Sequence, residues 1–106
     1  MDEVRPDQVD WALRTYPNRC PVLLRSAGGD TPSLERRRFL VPHDLTVGQF
    51  LNVLRHRLKL RPDQALYVFT EQQTLPMLGQ RLADLYAAQS EKGVLVLIYS
   101  CESAFG

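Results

Sequence analysis

Near its end the chain carries an unbroken apolar run, Val94-Leu95-Val96-Leu97-Ile98-Tyr99-Ser100. Such a run, bounded by Gly93 and rich in β-branched residues, predicts a strand buried on both faces at the centre of a sheet. A central strand needs a neighbour on each edge and cover on its faces. The rest of the chain must therefore supply further strands and at least one helix with an apolar side.

Those elements follow in order. Cys20 to Ser26 reads as a strand, with Pro21 near its start, where a missing donor is tolerated. Residues 27–33 are dense in turn formers, and a second strand is expected from Glu35 to Val41, making a hairpin with a long loop. The clearest helix comes next. Thr46 and Gln49 form a capping box, and Val47, Phe50, Leu51, Leu54 and Leu58 repeat at helical spacing. Arg55, Arg57 and Lys59 suit its C-terminal end, and Pro62 is expected to stop it. Ala65 to Thr70 is a third strand and Gln80 to Gln89 a second short helix. Asp7 to Thr15 predicts one more helix at the N-terminus, between Pro6 and Pro17.

Strand, strand, helix, strand, short helix, strand is the order of an α+β β-grasp (ubiquitin-like) fold. We expect a four-stranded mixed sheet crossed by one main helix, with the last strand central and parallel to the first. Residues 1–15 form a short N-terminal helical appendage, 16–101 the β-grasp domain and 102–106 a flexible C-terminal tail.

Charge and cysteine usage narrow the function classes. The net charge is only +1, although residues 1–60 hold ten Lys/Arg against seven Asp/Glu and the cluster Arg36-Arg37-Arg38 is the focus of that excess. Without interleaved stacking aromatics, that cluster does not point to nucleic acid; a charged edge strand guarding against aggregation is its simplest reading. Cys20 and Cys101 have no CxxC partner, and His43 and His56 have no ligand spacing around them. No catalytic residue, metal or cofactor is expected. No apolar run approaches the roughly 20 residues of a membrane span, so a cytoplasmic protein is expected.

Three segments carry a resemblance beyond the fold. FLVPHDLTVGQF (39–50), YPNRCPV (16–22) and YSCESAFG (99–106) resemble the autophagy-related protein 8 family, which includes the GABA-receptor-associated proteins and the microtubule-associated light chains. The resemblance runs from about residue 12 to the end of the sequence. It implies a modifier, not an enzyme. A processing cysteine protease would expose Gly106 after Phe105, an activating and a conjugating enzyme would carry its carboxylate, and phosphatidylethanolamine would receive it. The product would coat autophagosome membranes; the unconjugated form would be a cytoplasmic monomer.

The resemblance also implies a docking site for cargo receptors bearing aromatic-x-x-aliphatic motifs, which add as a strand beside the second strand. Pro21, Leu23, Arg38, Leu40 and Val94 would line the aromatic pocket. Phe39, Val41, Pro42, Leu45, Phe50 and Val53 would line the aliphatic pocket. Arg36, Arg37 and Arg55 would attract acidic residues flanking the motif. Alternation along the strand fits, with Arg38 and Leu40 on one face and Phe39 and Val41 on the other. The chain departs from the family in having room for about one helix before Tyr16 rather than two, in Gln8 and Ala12 where acidic and aliphatic lining is usual, and in Val94 where Phe is usual. Conjugation to a protein lysine, as in the autophagy-related protein 12 branch, and a non-covalent adaptor are the alternatives.

Overall fold

The structure, a computed structural model, describes residues 2–28, 31 and 37–103, without the side chains of residues 2, 37 and 103. In chain order the elements are β1 (Asp2–Glu3), a 3-10 turn (Pro6–Gln8), α1 (Val9–Thr15), β2 (Arg19–Ser26), β3 (Arg37–Pro42), α2 (Val47–Leu58), β4 (Gln64–Thr70), α3 (Leu82–Gln89) and β5 (Leu95–Ser103). One sheet orders the strands β1-β3-β2-β5-β4. β2 and β3 form the expected antiparallel hairpin, and β5 lies between β2, to which it is parallel, and β4, to which it is antiparallel. The β-grasp arrangement is thus the one the sequence predicts.

Two details of the sheet differ. The edge beside β3 is not open along its whole length: β1 pairs there, Asp2 opposite Leu40 and Glu3 opposite Phe39. And β5, although central, is fully buried on one face only. Leu95, Leu97, Tyr99 and Cys101 are buried, whereas Val96 and Ile98 between them are half-buried. The cause is the distribution of cover. α2 and α3 pack on the first face, while α1 covers only part of the second.

α2 closes the main core. Thr46 Oγ1 accepts from the Gln49 N–H at 3.1 Å, and Gln49 Oε1 accepts from the Thr46 N–H at 3.0 Å, so the capping box is complete. Val47, Phe50 and Leu54, at spacings of three and four, are buried against Val22, Leu24, Val41, Leu97 and Tyr99. Each such side chain contributes about 1.5–3 kcal/mol on leaving water. Gly48 brings α2 close to the preceding loop of α3. Its N–H donates to the Leu78 carbonyl at 2.9 Å, and a Cβ there would sit 3.3 Å from that same oxygen. The helix ends before Pro62, at Lys59: its N–H donates to the His56 and Arg55 carbonyls, and its left-handed backbone (φ +54°) turns the Leu60 N–H back to the Arg55 carbonyl at 3.2 Å. Replacing Thr46 by Ala should lower stability by about 1 kcal/mol, read as a shift in urea midpoint at unchanged slope.

The parallel register places Val22 opposite Leu95, so Cys20 and Cys101 lie at opposite ends of the β2–β5 pair, roughly 26 Å apart at about 3.3 Å per residue. Both thiols are free and buried, and burial pushes Cys20 up to about 11. They are core side chains. Among the described residues no helix is long and apolar enough to cross a membrane.

Candidate docking site

β3 carries six of the fourteen residues assigned to the docking site, Arg37 to Pro42, and its pleat separates them as expected. Arg38 and Leu40 face α1; Phe39 and Val41 face α2 and belong to the main core. The register fixes their neighbours: Pro21 opposite Leu40, and Leu23 opposite Arg38. Leu23 is also opposite Val96 on β5.

On the α1 face, four of the five residues assigned to the aromatic pocket fall into two adjoining places. Arg38 and Val94 line a cavity of about 440 Å³ together with Pro6, Asp7, Val9, Asp10 and Lys92. Leu40 and its register neighbour Pro21 lie beside it, nearly fully buried. Leu23, the fifth, is buried on the same face. Asp7, Asp10 and Lys92 were not anticipated. The two carboxylates sit three residues apart at the start of the N-terminal helical segment, and the helical reading of 7–15 contained that spacing. Opposite charges thus rim the cavity, Arg38 and Lys92 against Asp7 and Asp10.

The hollow over Leu40 is already filled. Val4 packs there with Leu40 and Ala12, and Val4 is only 4% exposed. Its N–H donates to the Arg38 carbonyl at 2.7 Å. Taking Val4 out of water is worth about 1.5–3 kcal/mol, and its hydrogen bond about 1 kcal/mol. Fixing the backbone of residues 2–4 costs about 1–2 kcal/mol each. The terms nearly cancel, so β1 holds to the edge weakly.

On the α2 face, Phe39, Val41 and Phe50 form a buried floor, while Pro42, Leu45 and Val53 are half-buried around it. The Arg57 guanidinium lies 4.9 Å from the centre of the Phe39 ring. That cation was not assigned to the site, although Phe50, Val53 and Arg57 fall at i, i+3 and i+7 on one helix face.

Arg55 is placed elsewhere. It donates to the Gln64 carbonyl at 2.7 Å and the Arg61 carbonyl at 3.0 Å, tying the end of α2 to the start of β4 on the far side of the sheet. Its expected place beside the basic strand is taken by Arg57. Arg36 and the Arg37 side chain lie outside the described residues, as do Phe105 and Gly106.

A separate cavity, apolar and about 300 Å³, lies at the β4 edge among Val47, Leu51, Leu66, Val68, Leu75 and Leu78. Leu75, Met77 and Leu78 are the most exposed large apolar side chains there. Among the described residues no group of three or more His, Cys, Asp or Glu is placed to hold a metal ion.

Comparisons with known proteins agree with this fold. The family model described as "Autophagy protein Atg8 ubiquitin like" matches residues 4–106. Autophagy-related protein 8a of Arabidopsis thaliana is 39% identical over 106 residues, covering 98% of this chain and 86% of that protein. Autophagy-related protein 8h of the same plant is 41% identical over 96 residues, covering 89% of this chain and 80% of that protein. Among solved structures, Trypanosoma brucei ATG8 superposes with a TM-score of 0.83 at 36% identity, covering 94% of this chain and 87% of that one. Plasmodium falciparum Atg8, solved with a Plasmodium falciparum Atg3 peptide, gives 0.78 at 29% identity, covering 92% and 87%. Sequence, topology and relatives converge: this chain belongs to the Atg8 family of ubiquitin-like autophagy proteins.

Proposed function

We propose that this chain is a lipid-conjugated modifier that recruits partners through the β3 edge. Partners would present an acidic-flanked aromatic-x-x-aliphatic segment. The backbone of that segment pairs with β3, and its alternate side chains enter the two hollows. The observation that carries this reading is the split of β3 side chains: Arg38 and Leu40 face α1, and Phe39 and Val41 face α2 beneath the Pro42–Leu45–Val53 rim. Family membership and the Atg3 peptide held by the Plasmodium relative support the same use of the fold. Arg38, with Arg36 and Arg37, would meet the acidic flank, and Arg57 would hold the Phe39 ring in place.

Conjugation belongs to the same proposal. The carboxylate of Gly106, exposed by a cysteine protease, would be adenylated by an activating enzyme, passed as a thioester to a conjugating enzyme and joined to the amine of phosphatidylethanolamine. The free form is then a cytoplasmic monomer, and the lipid-linked form sits on autophagosome membranes.

A peptide titration tests the docking site. Arg38→Glu with Leu40→Ala should weaken binding of a fluorescent acidic-flanked Trp-x-x-Leu peptide by about 30-fold, near 2 kcal/mol, the loss typical of a central interface residue. Leu40 is nearly buried, so circular dichroism must first show that the variant is folded. A folded double variant that binds with unchanged affinity would remove the assignment.

A further inference from the structure

The chain's own first residues occupy part of the surface assigned to partners. β1 pairs with β3, and Val4 fills the hollow over Leu40 and Ala12. The segment Asp2-Glu3-Val4 has the chemistry expected of a ligand, two acidic residues leading into an apolar one; the antiparallel register sets Val4 at Arg38 and the acidic pair at Phe39 and Leu40, away from the arginine-bearing start of β3. Its geometry matches as well. It is extended, it pairs through the backbone and it seats one side chain on the α1 face. Glu3 lies at the register of Phe39, the ring beneath Arg57.

We propose that residues 2–4 are a built-in competitor for the docking edge, so that a partner peptide binds only after β1 is displaced. The inference rests on the docking reading above and adds a regulatory step to it. Because the strand is short and its burial nearly balances its ordering, opening is frequent. The closed state reduces apparent affinity by the fraction of molecules that are open. Partners with stronger acidic flanks or a larger aromatic would displace it best, which makes the segment a threshold against weak ligands.

The experiment uses the whole chain, its Val4→Asp variant and a version lacking residues 1–4, each titrated with the fluorescent Trp-x-x-Leu peptide. Amide hydrogen exchange is followed at Leu40 without peptide. Donors alternate between neighbours along an antiparallel ladder, so the Leu40 N–H faces β1, as does the Arg38 carbonyl that accepts from Val4. We expect Val4→Asp and the shortened chain to bind the peptide about 3–10-fold more tightly. We also expect the Leu40 amide to exchange faster in both than in the intact chain. Equal peptide affinity in all three, or equal exchange at Leu40, overturns the proposal and leaves the docking site standing. If the peptide binds none of them, the docking reading itself falls, and this inference with it.

Discussion

Replacing Phe50 by alanine should destabilise the domain by about 3–5 kcal/mol. The ring is fully buried, and it meets α2, β3 and the centre of the sheet at once. Removing it deletes apolar area and leaves a cavity that the close approach of α2 at Gly48 keeps from collapsing. Domains of this size have about 5–15 kcal/mol of stability in all, so the loss is a large part of the total. The melting temperature should fall by on the order of 20 °C. Val53→Ala is the control. That side chain is half-buried on the same helix face, so it should cost well under half as much while still weakening peptide binding. A Phe50→Ala loss below about 1 kcal/mol would mean that the ring lines an open pocket rather than the core.

The second large effect concerns the other end of the chain. Gly106→Ala should reduce the yield of a phosphatidylethanolamine adduct by about 10–200-fold, the discrimination one added carbon brings where a pocket is shaped for its absence. Glycine has no side chain to crowd its own carboxylate, and its backbone adapts to a narrow active site. The measurement is intact mass after incubation with the family's activating and conjugating enzymes, ATP and phosphatidylethanolamine vesicles. The wild-type chain should gain the mass of one phospholipid less water. A wild-type adduct to a protein amine would place the chain with lysine-directed modifiers. An alanine variant that conjugates at the normal rate would move the attachment away from residue 106.

Much of this architecture was legible because it is local. The capping box at Thr46 and Gln49 and the periodic Val47, Phe50 and Leu54 specify α2 from a dozen residues, and the run at 94–100 marks the central strand. What was missed depends on tertiary partners. β1 spans two residues with no strand pattern of its own; it exists because β3 offers an edge and Leu40 a hollow. Lys59 ends α2 in a left-handed conformation that a lysine does not announce, so Pro62 was the visible stop. An unbroken apolar run cannot tell which of its residues a helix will cover, so Val96 and Ile98 read as fully buried.

The site divides in the same way. Alternation along β3 was readable, and the structure keeps it. The choice between Arg55 and Arg57 was readable too, since only Arg57 shares a helix face with Phe50 and Val53. The resemblance put Arg55 there instead. Asp7, Asp10 and Lys92 come to the cavity from two distant segments, and only the fold brings them together.

β3 is proposed as the edge that receives extended ligands. Methyl chemical-shift mapping during titration with the Trp-x-x-Leu peptide tests this directly. The largest changes should fall on Leu40 and Val94 on one side of β3 and on Leu45 and Val53 on the other, with Val4 shifting as it leaves its hollow. Changes confined to Leu51, Leu66 and Leu78 would put the ligand in the cavity at the β4 edge and exclude β3 as the receiving edge.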